Sequence, residues 1–321
     1  MSKVTNDIIR AISESESVLV CGHIRPDGDC IGSALAVRRI CERMGKHADA
    51  VCDVEQQPYG YGFLSDYDLF CKPRLNKYDL FIAVDCATEK RLGVYTKQLH
   101  SAKYSVDIDH HPTNERYGKL NHIVGSASST CQIVYELFKD TDLIDRETAE
   151  MLYTGLSTDT GNFMHSNTDT SVFRTAVGLS EYGLDIGNIN HEIYCNKPMR
   201  RIKLASRALD SIRLYADGKI GLMTITLDDL NGCECTSEDT EGLIDNVSSI
   251  NGVRIAISIC EQPGGIFRCS LRSFSVDVAA VAEKFGGGGH KLASGCIISG
   301  TRYDVADKLI SAASHALIGE Y

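Results

Sequence analysis

The run Gly22-His23-Ile24-Arg25-Pro26-Asp27-Gly28-Asp29-Cys30-Ile31-Gly32-Ser33 places one imidazole and two carboxylates within seven residues, on a turn loosened by Gly28 and Gly32. His23, Asp27 and Asp29 are nitrogen and oxygen donors of the kind that bind a hard divalent cation. Three more clusters of the same chemistry follow along the chain. Asp85 ends the apolar run Leu80-Phe81-Ile82-Ala83-Val84, and Asp109-His110-His111-Pro112 ends another at Tyr104–Ile108. Asp159 closes the apolar stretch from Met151 and is followed by the turn Thr160-Gly161-Asn162. A lone acid at a strand end is usually a cap. Four acid or imidazole clusters at the ends of four successive elements point to one metal-dependent site.

The elements that must position these groups read as alternating strands and helices. Ser17–Cys21 is a short apolar run that predicts a buried strand, and Ala34–Met44 carries helical periodicity, so the His23–Asp29 segment falls on a loop at a strand's carboxyl end. In open α/β sheets ligands bind at that edge. Helices are expected around Ser33–Met44, Ser129–Phe138, Arg146–Leu156 and Thr170–Glu181, which suits a doubly wound parallel sheet. Gly183–Asn190 and Asn196–Pro198 read as a linker, and Met199–Tyr215 as a bridging helix. Strand-like runs then follow at Lys219–Thr226, Val253–Glu261, Gly265–Ser273 and Ala293–Gly300. Helical runs are expected at Glu238–Ser249, Ser275–Phe285 and Val305–Leu317. The fold class is therefore α/β: an N-terminal doubly wound parallel-sheet domain plus a smaller α/β domain with a mixed sheet, with the active site expected in the cleft between them. The expected boundaries are 1–187 for the catalytic domain, 188–215 for the linker and helix, and 216–321 for the second domain.

In this order the motifs resemble those of the DHH phosphoesterase superfamily: His23-x-x-x-Asp27-x-Asp29, then Asp85, then Asp109-His110-His111, then Asp159. Phe285-Gly286-Gly287-Gly288-Gly289-His290-Lys291-Leu292-Ala293-Ser294-Gly295 resembles the glycine-rich signature of the associated DHHA1 domain. Within the superfamily the chain is most similar to the stand-alone bacterial NrnA-like group, oligoribonucleases (nanoRNases) that are also pAp phosphatases, and to soluble cyclic-dinucleotide phosphodiesterases. The resemblance implies two divalent metal ions, foremost Mn²⁺, with Mg²⁺, Co²⁺ or Fe²⁺ as alternatives. It implies that His23, Asp27 and Asp85 hold one ion and that Asp29, Asp85, His110 and Asp159 hold the other, with Asp85 as the bridge. A water activated between two metals would then attack phosphorus. Asp109 would orient an imidazole, and His111 would contact the phosphate and assist the leaving oxygen. Asp85, Asp109, His110 and His111 are thus the expected catalytic set.

Substrate contacts are expected from His111, from Arg268 and Arg272, which alternate along one face of a strand, and from Gly287, Gly288, Gly289 and His290, whose backbone N–H groups can approach an anion. Lys291 is a further cation for the same purpose. Relatives often carry Arg where this chain has Asn162, which bears on how substrate phosphate is steered.

Composition narrows the partners. A net charge of −10 argues against long duplex nucleic acid, where a basic face supplies most of the affinity, and leaves short anionic substrates open. Apolar residues make up 43% of the 321, enough for two packed cores, and no stretch approaches the roughly 18 apolar residues of a membrane span. Met1–Ser17 is polar and unlike a secretory leader. The thirteen cysteines are scattered; Cys21, Cys86 and Cys260 fall in expected core strands, and reduced thiols in a cytoplasmic protein explain them. Cys233-Glu234-Cys235 reads as a surface loop. His47, His100, His122 and His315 read as surface residues, and His165 as a residue on the rim of the site.

The expected activity is hydrolysis of short RNA such as pApA to nucleoside 5′-monophosphates, with 3′-phosphoadenosine 5′-phosphate (pAp) as a further substrate, by a cytoplasmic homodimer that engages no membrane. Cleavage of a cyclic dinucleotide such as c-di-AMP is the alternative. A family II-type pyrophosphatase, which lacks the Gly-Gly-Gly-Gly-His run, and an inactive nucleotide-binding protein are weaker ones.

Overall fold

Alternation along the N-terminal strands feeds two cores at once. Val18, Val20, Leu80, Ile82, Val84, Val106 and Ile108 enter one apolar cluster, while Leu19, Cys21, Val51, Phe81 and Ala83 enter another. Successive side chains of a strand point to opposite faces, so a sheet buried on both sides is the only arrangement that satisfies such runs. The computed structural model describes residues 3–55 and 57–319. The chain divides into two compact units, one up to Asn196 and one from Lys197.

The first unit runs α1 (Lys3–Ser13), β1 (Ser17–Cys21), α2 (Gly28–Arg43), β2 (His47–Val51), β3 (Leu80–Val84), α3 (Thr96–Ser101), β4 (Tyr104–Asp109), β5 (Leu120–Ile123), α4 (Thr130–Phe138), α5 (Arg146–Asp159), α6 (Thr170–Ser180) and α7 (Ile186–Asn190). Its five strands are all parallel in the order β2-β1-β3-β4-β5. Helix α2 begins five residues earlier than periodicity suggests. The Asp27 side chain accepts the Cys30 N–H and caps it, so Asp29 lies in the first turn rather than on a loop. The segment expected to be a linker, Gly183–Asn190, contains α7, capped by Asp185.

Helices α2 and α5 cross in direct contact. A Cβ built on Gly32 would lie 2.4 Å from the Met151 carbonyl oxygen, and one on Gly155 would lie 2.9 Å from Asp29 Cα. Neither backbone can yield without moving a helix that carries a site residue. Gly32→Ala is therefore expected to destabilise the protein by about 1–3 kcal/mol, although alanine is the better helix former by about 1 kcal/mol. Urea unfolding measures this, and an unchanged midpoint would show that the crossing has slack.

The second unit runs α8 (Met199–Asp210), β6 (Arg213–Tyr215), β7 (Ile220–Ile225), α9 (Leu227–Gly232), α10 (Ile244–Ser248), β8 (Ile255–Gln262), β9 (Ile266–Ser273), α11 (Ala279–Glu283), β10 (Gly288–His290), β11 (Ala293–Ser299) and α12 (Arg302–Ile318). Its sheet is mixed, in the order β10-β11-β9-β8-β7-β6, with β7 and β8 parallel and the other pairs antiparallel. The expected helix at Met199–Tyr215 stops at Asp210, and Arg213–Tyr215 instead pairs with β7 as an edge strand. The run at Glu238–Ser249 breaks where Gly242 adopts a φ of 76°. Cys233 and Cys235 are buried among Leu204, Leu230 and Ile244, so the pair lies in a core and not on a surface loop. Among the described residues no helix is long and apolar enough to cross a membrane.

Candidate metal centre

Four loops and helix ends of the first unit bring the predicted donors to one edge of the parallel sheet. His23 lies just past β1, Asp85 just past β3, Asp109 ends β4 with His110 and His111 following, and Asp159 ends α5. His23 Nε2 stands 3.4 Å from Asp85 Oδ2 and 3.9 Å from Asp27 Oδ2. His110 Nε2 stands 3.4 Å from Asp85 Oδ1 and 3.3 Å from Asp159 Oδ2. Both imidazoles turn Nδ1 toward a backbone carbonyl, His23 to Ile24 at 2.7 Å and His110 to Ala127 at 3.4 Å. With Nδ1 turned to a carbonyl, each Nε2 faces the acids, donating to them as an N–H when no ion is bound and free to offer its lone pair to a bound metal, which is how a second contact commonly orients a ligating histidine.

Asp85 occupies the junction. It belongs with His23 and Cys30 in one group of potential ligand atoms that lie within 4.8 Å of one another, and with Asp109, His110 and His111 in a second. Asp29, His110 and Asp159 form a third. Asp85 has a φ of 54°, a left-handed conformation that aspartate tolerates better than most residues and that costs energy the surrounding sheet must supply. Thr130 Oγ1 donates to Asp85 Oδ1 at 3.2 Å, a contact that nothing in the sequence signalled.

Asp29 is fully buried and has a second task. Its oxygens accept the backbone N–H groups of Thr130 at 2.6 Å and Cys131 at 2.8 Å, at the start of α4. Asp109 is equally buried, and its Oδ1 accepts the N–H of His110 at 2.8 Å, the N–H of His111 at 3.2 Å and His111 Nδ1–H at 2.7 Å. Asn114 donates to its other oxygen at 2.7 Å, another partner absent from the sequence reading.

The charges are strongly coupled. Burial alone would raise Asp85, but hydrogen bonds to His110 and His23 hold it well below the usual carboxylate range. Burial, then repulsion by Asp85, pushes Asp29 up to about 7. Asp159 is raised well above its ordinary value by burial and then by Asp29. Burial opposes the charged form of His110, yet Asp85 and Asp159 raise it well above the usual imidazole value. Protons thus stabilise this crowded set of acids, and a divalent cation can replace them. The donor set, carboxylate oxygen and imidazole nitrogen, fits Mn²⁺ or Mg²⁺.

A pH dependence follows. The folded value of Asp29 lies above its ordinary 3.8, so its protonated form favours folding. In protein stripped by EDTA that contribution is complete below the ordinary value and is lost as pH rises through about 7. Asp85 acts in the opposite sense, but its contribution fades only below the carboxylate range. The Tm gap between Mn²⁺-loaded and EDTA-treated protein should therefore widen from about pH 5 to about pH 8, because the ion needs the carboxylate form. A gap that narrows over this interval would contradict the assignment.

Asp27 is partly exposed beside His23. His165 is exposed and covers Gly161, with Nδ1 3.4 Å from the Asp159 carbonyl. His47 and His100 contact acids, Asp49 at 3.5 Å and Glu89 at 2.7 Å, and His122 is partly buried rather than on the surface. In the second unit Arg268 donates to the Ser237 carbonyl and to Thr240 Oγ1, each at 2.7 Å, while Arg272 donates to the Leu271 carbonyl at 3.1 Å. Gly288 and Gly289 of the glycine run enter the short edge strand β10 together with His290. Gly286 and Gly289 adopt φ of 72° and 142°, and a Cβ on Gly287 would lie 2.2 Å from the Gly295 carbonyl oxygen.

Fold and site define a phosphoesterase-type α/β chain, and it belongs to the DHH family. Residues 17–156 match the DHH family N-terminal domain and residues 224–318 match the DHHA1 domain. The chain is 30% identical to the bifunctional oligoribonuclease and PAP phosphatase NrnA of Thermus thermophilus, over 95% of this chain and 90% of that protein. Identity to the NrnA of Bacillus subtilis is 26%, over 95% and 96% respectively. The cyclic-di-AMP phosphodiesterase PdeA of Listeria monocytogenes is 28% identical over 87% of this chain but only 44% of its own length. An exopolyphosphatase-related protein from Bacteroides fragilis has the same fold, with a TM-score of 0.90, 23% identity and 98% of each chain covered.

Proposed function

We propose that this protein is a hydrolase of phosphoric esters that cleaves short RNA oligonucleotides to nucleoside 5′-monophosphates and converts pAp to AMP. The similarity to two oligoribonuclease and PAP phosphatase proteins over almost the whole chain supports the substrate class. The observation that carries the chemistry is the position of Asp85, whose two carboxylate oxygens face His23 Nε2 and His110 Nε2, each 3.4 Å away. His23, Asp27 and Asp85 would hold one divalent ion, and Asp29, Asp85, His110 and Asp159 a second, with Mn²⁺ the favoured metal. Bound divalent ions of this kind supply an activated water and neutralise charge on phosphate.

The chain's own groups do the rest. Asp109 holds His111 by its Nδ1–H, so the ring keeps one orientation and can meet a phosphoryl oxygen or protonate the leaving oxygen. Residues 1–187 form the catalytic part and residues 216–321 the substrate-binding part in this reading. Arg268, Arg272, Gly287–Gly289 and His290 would take the substrate's terminal nucleotide. The working form is read as a cytoplasmic homodimer.

The likeness to PdeA favours c-di-AMP cleavage as a second reading, although only 44% of that protein is matched. One experiment separates the two: purified protein with Mn²⁺ is offered pApA, longer RNA, pAp, c-di-AMP and pyrophosphate side by side. Fast AMP release from pApA with slow c-di-AMP turnover is expected. Comparable c-di-AMP cleavage would make it a cyclic-dinucleotide phosphodiesterase, and turnover of pyrophosphate alone would overturn the nucleotide reading.

A further inference from the structure

Three thiols form a row that ends beside the metal centre and that phosphoester hydrolysis does not use. Cys71, just after a short helical turn, is partly exposed, whereas Cys52 and Cys30 are buried. Cys71 Sγ accepts the Cys52 N–H at 3.3 Å, and the sulfurs of Cys52 and Cys30 are 3.7 Å apart. Space for the two buried sulfurs exists because residue 22 is glycine. A Cβ there would lie 2.2 Å from Cys30 Sγ and 2.9 Å from Cys52 Sγ. Cys30 Sγ in turn accepts the backbone N–H of His23 at 3.2 Å, and it lies within 4.8 Å of donor atoms of both His23 and Asp85.

Buried cysteines often serve as small apolar residues. Packing alone does not require three neighbouring thiols that run from the partly exposed Cys71 to the backbone of a predicted metal ligand. The Cys71 thiol is also drawn below its ordinary value, first by its hydrogen bond with Cys52, which favours the reactive thiolate.

We propose that this row is an oxidation site for peroxides, and that the resulting Cys30–Cys52 disulfide weakens metal binding. Cys71 thiolate attacks the peroxide O–O bond, giving Cys71 sulfenic acid and releasing water or an alcohol. The Cys52 thiol displaces the sulfenic oxygen as water and forms a Cys52–Cys71 disulfide. Cys30 then attacks the Cys52 sulfur, forming Cys30–Cys52 and returning Cys71 as a thiol. In sum two thiols lose two hydrogens and one peroxide is reduced.

The product must disturb the site. A disulfide needs its sulfurs about 2.05 Å apart, against 3.7 Å here, so the two must close on each other, and in this proposal part of that movement falls on Cys30. Cys30 sits in the first turn of α2, its N–H held by Asp27 Oδ1 at 3.1 Å and its chain neighbour being Asp29. Its movement withdraws the acceptor of the His23 N–H and shifts two predicted ligands together.

The test treats the purified full chain with hydrogen peroxide and follows intact mass, disulfide mapping of peptides and Mn²⁺ binding by equilibrium dialysis. The expected results are loss of two hydrogens mapped to Cys30–Cys52 and Mn²⁺ affinity lowered by about tenfold or more, restored by dithiothreitol. Cys52→Ala should keep its Mn²⁺ affinity under the same treatment, and Cys71→Ser should form the bond more slowly. Thiols that remain reduced at Cys30 and Cys52 would overturn the proposal. So would a bond elsewhere, such as between Cys269 and Cys296, which face each other on β9 and β11, or a Cys30–Cys52 bond that leaves Mn²⁺ affinity unchanged. The metal arm rests on the proposed function. Reduced protein that binds no Mn²⁺ would overturn that reading, while mass and mapping still decide the bond.

Discussion

Asn in place of Asp85 should lower turnover of pApA by at least about 10³-fold, roughly 4 kcal/mol of transition-state stabilisation. The size of the effect comes from the residue's place between two ligand groups. The amide removes one negative charge from both groups at once and offers a single weak oxygen donor where the carboxylate has two. It also withdraws the acid that faces His23 Nε2 and His110 Nε2, each 3.4 Å away. The backbone should survive, since asparagine accepts the left-handed φ of 54° about as well as aspartate. Loss of activity with an intact far-UV spectrum and fewer bound ions per chain by elemental analysis is the expected combination. Turnover within tenfold of the wild type, with full ion content, would sink the bridging assignment.

For Asp109→Asn a loss of about 10- to 100-fold in activity or metal affinity is expected, by a different route. This carboxylate faces donors on every side: two backbone N–H groups, His111 Nδ1 and the Asn114 amide. An amide has one acceptor oxygen, so its NH₂ group must point at another donor in a fully buried site. Either the His111 contact or the Asn114 contact is lost, and a buried donor left without an acceptor costs about 1–3 kcal/mol. A kcat that falls while the KM for pApA stays constant would show His111 acting in the chemical step. A rise in KM alone would place it in ground-state binding. The effect should be smaller than that of Asp85→Asn, because Asp109 positions its neighbours instead of joining two groups of ligands.

Much of the candidate metal centre is legible in the chain because its donors close apolar runs: His23, Asp85 and Asp109 lie at the ends of strands, and Asp159 ends helix α5. Runs such as Leu80–Val84 are buried on both faces of a parallel sheet, and such runs announce themselves by composition without reference to any partner. An acid placed directly after one must reach the sheet's carboxyl edge. The start of α2 escapes a periodicity reading because its first five residues, Gly28 to Gly32, are all buried and combine two glycines with an acid, a composition that reads as a turn. A helix start of that kind carries no amphipathic stripe to read. The Cys233–Cys235 segment failed for a related reason: short polar surroundings in sequence say nothing about the helix that covers it, and Leu204 and Ile244 come from distant elements.

The amino-acid sequence by itself determined the candidate donors, their order and the α/β alternation, since these depend on residue type and on local burial. Only the tertiary structure decided which donors meet. Asp29 reaches the N–H groups of Thr130 and Cys131, 101 and 102 residues away, where Gly155 of α5 leaves room for both: a Cβ there would lie 2.3 Å from Cys131 Sγ and 2.7 Å from Asp29 Oδ1. The sulfur row from Cys71 to Cys30 likewise joins a loop, a strand end and a helix turn. Periodicity reports how much of each element is covered; contacts between elements a hundred residues apart are set by packing, which no local pattern encodes.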